Sequence, residues 1–96
     1  MIYSLIIRKK AELHLIEAFE WYEKKRIALG SEFLLSAEAT LNAIQQNPKL
    51  FSVRHKNVHC ALTPRFPYGI FYFIDEAKII VIAVFHLSRN PKLWKS

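Results

Sequence analysis

Ninety-six residues are enough for one small domain, which buries somewhat over ~60% of the surface its unfolded chain exposes. A hydrophobic fraction of 52% with 14% aromatic residues excludes intrinsic disorder, and the single cysteine, Cys60, excludes an internal disulfide and fits a reducing cytoplasm. The formal charge of +6 sits in one half. Residues 48–96 carry eight Lys/Arg against Asp75 and Glu76, while the first 47 residues carry six charges of each sign, so the expected partner is acidic, a nucleic acid or an acidic protein segment.

Residues 3–7 predict a short strand. This apolar stretch precedes Arg8-Lys9-Lys10, the reverse of the order in a secretory signal. No apolar run reaches the ~20 residues of a membrane helix, so neither export nor a membrane role is expected. Residues 11–25 predict a helix. At 100° per residue Ala11, Leu15, Ala18, Phe19 and Tyr22 share one face and Glu12, Glu17, Glu20 and Glu23 lie largely opposite. Leu13 is the misfit on the acidic side. Gly30-Ser31 reads as a tight connection with Ser31 as N-cap of a second helix, which runs to about residue 47 and is stopped by Pro48. Phe33, Ala37, Leu41 and Ile44 point inward on it, and Leu35 points away.

Two helices joined by a short connection form an antiparallel hairpin. Three strands are expected after it, over about 53–62, 68–74 and 79–86, with Asp75-Glu76-Ala77-Lys78 as a hairpin turn between the last two. The apolar runs in those two strands lack clean alternation, which predicts central strands covered on both faces. The expectation is one α+β domain over residues 1–96, ordered β-α-α-β-β-β, with an antiparallel three-stranded meander joining the first strand in one sheet. The four histidines, 14, 55, 59 and 86, are dispersed and there is no CxxC, so no metal site is expected. With Gly30 and Gly69 alone, no glycine-rich phosphate loop exists and no cofactor is expected. Cys60 reads as a small strand residue whose neighbour His59 points to the opposite face.

A set of spaced residues then stands out: Glu17-Ala18-Phe19-Glu20-Trp21-Tyr22-Glu23, Leu29-Gly30, Phe33, Ile44, Pro48, Arg65-Phe66-Pro67-Tyr68, Ile70, Tyr72, Ala83-Val84, His86, Arg89, Pro91 and Trp94. Over nearly the whole chain this pattern resembles the ParE/RelE superfamily of toxins from bacterial type II toxin–antitoxin modules. The resemblance implies a cytoplasmic toxin, with a plasmid-stabilisation type of role, and a cognate antitoxin whose acidic C-terminal segment folds onto it. A homodimer or a heterotetramer with the antitoxin is the assembly to look for. The basic second half and the off-face Leu13 and Leu35 suit an acidic, amphipathic segment.

The superfamily divides by target. ParE-like members are associated with inhibition of DNA gyrase; RelE-like members resemble ribosome-dependent mRNA endonucleases. RNA cleavage needs a base at the 2′-OH, an acid at the leaving 5′-oxygen and cations on the phosphate. At the C-terminal position where RelE-like enzymes place a Tyr or His, this chain has Trp94, whose indole carries one N–H donor and no useful pKa. That departure and Trp21-Tyr22-Glu23 favour the ParE-like branch, and with it a binding toxin rather than an enzyme. The residues expected to contact target or antitoxin are Arg65, Tyr68, Arg89, Lys92, Trp94, Leu13 and Leu35. The alternative is an endoribonuclease built on His86, Arg89, Arg65 and His59, although relatives carry an arginine near His59. A plainer role stands beside each of these. His86 orients the loop after its strand, Arg65 pairs with a local acid, and Tyr68 and Tyr72, on one face at period two, belong to the core.

Overall fold

The computed structural model describes residues 2–88. Its elements in chain order are β1 (Ser4–Ile7), α1 (Lys9–Lys25), α2 (Leu29–Gln46), β2 (Val53–His55), β3 (Val58–Leu62), β4 (Tyr68–Asp75) and β5 (Lys78–His86). They form a helix hairpin laid on one five-stranded sheet of order β1-β5-β4-β3-β2.

Charge and backbone chemistry set the helices. Glu12 lies in the first turn of α1 and Lys24 and Lys25 in its last, each complementing the helix dipole. The helix ends where Arg26 turns extended and its N–H bonds back to the Tyr22 carbonyl. α2 starts at Leu29, two residues before the expected cap. Ser31 therefore lies inside the first turn, and Ala28 stands at the N-cap in a left-handed conformation, φ 72°, with no side-chain bond of its own. The cap comes from α1 instead. The Glu23 carboxylate accepts the N–H groups of Ala28 at 2.9 Å and Gly30 at 3.0 Å, satisfying two of the donors every helix leaves open. Along α2, Phe33, Ala37 and Ile44 are buried as the periodicity predicts, with Leu41 half-buried beside them.

The expected strand over 53–62 is two strands. Lys56 takes φ 52°, and a two-residue turn pairs His55 with Val58, so the chain folds back and β2 becomes a short outer edge. The Asp75–Lys78 turn is where it was read, with Glu76 at φ 56°. β1 joins the sheet beside β5 and runs parallel to it, from Ser4 opposite Lys78 to Ile7 opposite Val81. β4 and β5 are thus interior strands, which explains their continuous apolar sequence. One face, with Ala61, Ile70, Tyr72, Ile79, Val81 and Val84, forms the main core with Ala11, Ala18, Phe33 and Ile44 of the helices. The other holds a second cluster of Cys60, Phe71 and Ala83 with Val58, Ile82, Phe85 and Leu87 packed on it. A bulge between Phe71 and Tyr72 shifts the β4–β5 register.

Candidate functional site

The Arg65-Phe66-Pro67-Tyr68 stretch connects β3 to β4 and is tightly held. Thr63 donates its hydroxyl to the Phe66 carbonyl at 2.7 Å, Tyr68 N–H bonds the same carbonyl at 2.8 Å, and Leu87 N–H bonds the Pro67 carbonyl at 2.9 Å, tying the loop to the end of β5. The Phe66 ring turns inward, 4.9 Å from Tyr22 and 5.5 Å from Phe33 between centroids. Arg65 turns outward. Its φ of 71° is a left-handed conformation that costs a non-glycine residue about 1 kcal/mol or more, the kind of strain a surrounding structure must enforce.

Arg65 reaches across 33 residues of sequence to α2, where its Nη2 lies 2.8 Å from Glu32 Oε1. The other oxygen of the same carboxylate, Oε2, lies 3.3 Å from Nη2 of Arg26 in the helix connection. The hydrogen bond from Arg65 and the charge of both arginines hold the Glu32 carboxyl below its usual range. The sequence reading left Arg65 open to pairing with a local acid or serving an outside anion. The structure identifies the acid as Glu32 and adds Arg26, which that reading did not single out; no spacing signal links positions 26, 32 and 65.

Tyr68 is only 5% exposed, its ring in the cluster with Tyr22 and Phe33, so its side chain offers little surface to a partner. Leu13 and Leu35 are exposed, at 49% and 66%, on α1 and α2 respectively. Ile16, Leu34, Leu50, Val53 and Leu62 are exposed apolar residues that the sequence reading passed over. Arg89, Lys92 and Trp94 lie outside the described residues.

The two candidate histidines do not meet. His86 packs edge-on against Tyr68, 5.2 Å between centroids, while its Nδ1 accepts the Ser88 N–H at 3.0 Å. That bond ties the ring to the stretch that follows β5. His59 pairs with Tyr72, four residues along β4 from Tyr68, so the two imidazoles stand roughly 13 Å apart along the strands. The His59 ring stacks on Tyr72 at 5.1 Å and its Nδ1 is 2.8 Å from the Phe51 carbonyl oxygen, making it the donor there. Tyr72 in turn donates its hydroxyl to the Pro48 carbonyl at 2.7 Å, and burial pushes its pKa up, keeping the proton on. Both side chains thus fasten the segment between α2 and β2. Burial also pushes the Cys60 thiol up, which suits an inert core residue. Among the described residues no group of acids, histidines and cysteines could hold a metal, and no helix is long and apolar enough to cross a membrane.

A third histidine does structural work that its sequence position did not signal. β1 ends opposite Val81, leaving the next stretch of the β5 edge uncovered, and His14 of α1 accepts the Val84 N–H through Nδ1 at 3.1 Å. Burial lowers the His14 pKa, with Glu17 opposing that shift and Lys10 adding to it. Protonation would replace an acceptor with a second N–H facing the first. Above the ordinary imidazole value of about 6.5 both folded and unfolded chains hold His14 neutral and nothing is lost. As pH falls through that value the unfolded chain takes up a proton that the folded chain resists, so stability drops until the lower folded pKa is passed. The expected result is a melting temperature that falls less between pH 7 and 5 in His14→Gln than in wild type. Parallel slopes for the two proteins would contradict it.

The fold has solved relatives. One chain of a chromosomal ParDE toxin–antitoxin system from P. aeruginosa superposes with a TM-score of 0.79 at 15% identity, covering 88% of this chain and 96% of its own length. A mutant of E. coli toxin RelE in the free state superposes with a TM-score of 0.58 at 14% identity, covering 95% and 90%. A comparison with curated proteins finds no match. The family model described as the ParE toxin of the type II toxin–antitoxin system, parDE, matches residues 5–91, which takes in both helices, every strand from Leu5 onward and the Arg65 loop, and the chain belongs to that family.

Proposed function

We propose that this protein acts as a cytoplasmic toxin by binding a cellular target, DNA gyrase being the one its ParE kinship implies, and that a cognate antitoxin neutralises it through an acidic segment. The observation that carries the binding mode is the disposition of the imidazoles. Cleaving a phosphodiester requires base and acid on either side of one phosphate. His59 and His86 stand roughly 13 Å apart along the sheet, each with Nδ1 bonded to backbone. The net charge of the second half and the outward Arg65 support an acidic partner.

The test is expression without antitoxin. His86→Gln keeps an acceptor of similar reach for the Ser88 N–H but has no titrating ring. Toxicity is expected to survive in the folded variant, and purified wild-type protein is expected to inhibit gyrase supercoiling. The RelE-type reading rests on the likeness of fold to RelE. It requires the reverse outcome: ribosome-dependent mRNA cleavage that falls by ~10²-fold or more in His86→Gln.

A further inference from the structure

Glu32 is a single carboxylate gripped by two arginines from separate parts of the chain, one in the helix connection and one in the β3–β4 loop. The pair is not buried. The Arg65 side chain is 64% exposed, Arg26 60% and Glu32 32%. An ion pair so exposed shifts an equilibrium by only about 2- to 5-fold, too little for it to act chiefly as a staple. Its geometry is nonetheless specific, with each carboxylate oxygen facing a different guanidinium. Arg65 is held there by a left-handed backbone and by the inward anchor of Phe66.

We propose that Arg26 and Arg65 form a carboxylate-binding fork, that Glu32 fills it in the free protein as an internal stand-in, and that an Asp or Glu side chain of an acidic, amphipathic partner segment displaces Glu32 on binding. This rests on the antitoxin reading above and names the place where that partner's charge is read. Two observations favour a peptide over a nucleic acid. The fork already holds a carboxylate, so its spacing is fitted to one. It is also flanked by apolar side chains. Leu35 lies three residues beyond Glu32, on the same face of α2, and is 66% exposed; Ile27, next to Arg26, is 85% exposed. A peptide can place a carboxylate on the fork and an aliphatic side chain on Leu35 together. A phosphate backbone has nothing apolar to offer Leu35.

Displacing Glu32 opposes binding in wild type, so its removal should help the incoming anion. The experiment is a fluorescence-anisotropy titration of labelled hexaglutamate at low salt against wild type, Glu32→Gln, Arg26→Gln, Arg65→Gln and the double variant Glu32→Gln/Arg65→Gln, each shown to be folded. Glu38→Gln, an exposed position on the same helix, controls for the loss of one negative charge. Glu32→Gln is expected to bind about 3-fold tighter than wild type, and Glu38→Gln to change far less. Each arginine variant should bind more weakly, and the double variant should show none of the Glu32→Gln gain. Equal effects of Glu32→Gln and Glu38→Gln would overturn the fork, as would a gain that persists without Arg65. So would a single-stranded hexanucleotide that binds Glu32→Gln with the same or a larger gain. The antitoxin provides the separating arm. If it binds Arg26→Gln and Arg65→Gln as tightly as wild type, the fork is wrong and the antitoxin reading stands. If wild type binds no acidic antitoxin at all, that reading falls and the fork falls with it.

Discussion

Phe33→Ala is expected to remove ~3–5 kcal/mol of folding stability. The ring is fully buried, stacked at 5.5 Å on Tyr22, edge-on to Phe66 at 5.5 Å and 4.9 Å from Tyr68. It therefore joins both helices to the loop that carries Arg65 and to the central strand. At ~0.05–0.15 kcal/mol per residue a domain of this length has about 5–14 kcal/mol in all, so the substitution takes a large share of it. The loss combines apolar surface returned to water with a cavity that three neighbouring rings are too stiff to fill. Phe33→Leu should cost distinctly less, because most of the volume stays. Urea unfolding of the two variants measures the difference, and an alanine variant within ~1 kcal/mol of wild type would show that the aromatic cluster is not the hub described. Because Phe66 loses a partner in the same step, the outward set of Arg65 should loosen too, and antitoxin affinity should fall even in conditions where Phe33→Ala remains folded.

Gly30→Ala should also destabilise, against the local rule. In a helix interior alanine is better than glycine by ~1 kcal/mol, and Gly30 sits inside the first turn of α2 with no positive φ to justify it. Space decides the sign. A Cβ built there would lie 2.6 Å from the Phe19 carbonyl oxygen, 2.7 Å from Phe19 Cδ1 and 2.9 Å from Glu23 Oε1. The nearest atom is backbone, so the helices themselves must part, and the Glu23 carboxylate that caps α2 must move with them. Overpacking of this kind costs ~1–3 kcal/mol, and losing the cap adds ~1 kcal/mol. The sum exceeds the propensity gain. A thermal melt of Gly30→Ala above that of wild type would refute the close approach of α1 and α2 at this point. Glu23→Gln offers a milder version, since it weakens the cap without touching the helix contact.

The two substitutions bear on function because the hairpin positions both arginines of the carboxylate fork. Arg26 follows the last residue of α1, Glu32 lies in the first turn of α2, and Arg65 is held by a loop whose Phe66 packs against a ring from each helix.

The local content of the chain was legible in order. The apolar stripe of α1, Pro48 after α2, the turn at residues 75–78 and the two apolar runs of β4 and β5 are short-range signals, and each marks its element to within a few residues. The partition of charge was equally plain, as was the run of motif residues that pointed to ParE-like toxins, because both are properties of composition and spacing. What the tertiary structure decided lies at long range. β1 pairs in parallel with β5, the strand most distant from it in sequence, and a contact of that range leaves no signal in local periodicity. Ser31 read locally as a cap, but α2 begins at Leu29, and the acceptor at its start is Glu23 of α1, which takes the N–H groups of Ala28 and Gly30 because helix packing brings it there. The strand expected at residues 53–62 split because Lys56 adopts a left-handed turn that its side chain does not advertise. At the candidate site the same division holds. Arg65 and His86 could be picked out from the sequence, but the partners they bond, Glu32 33 residues away and the Ser88 N–H two residues away, are set by the fold. Residue type announces what chemistry a side chain can do; which of those options it takes is set by what the fold places within hydrogen-bonding reach.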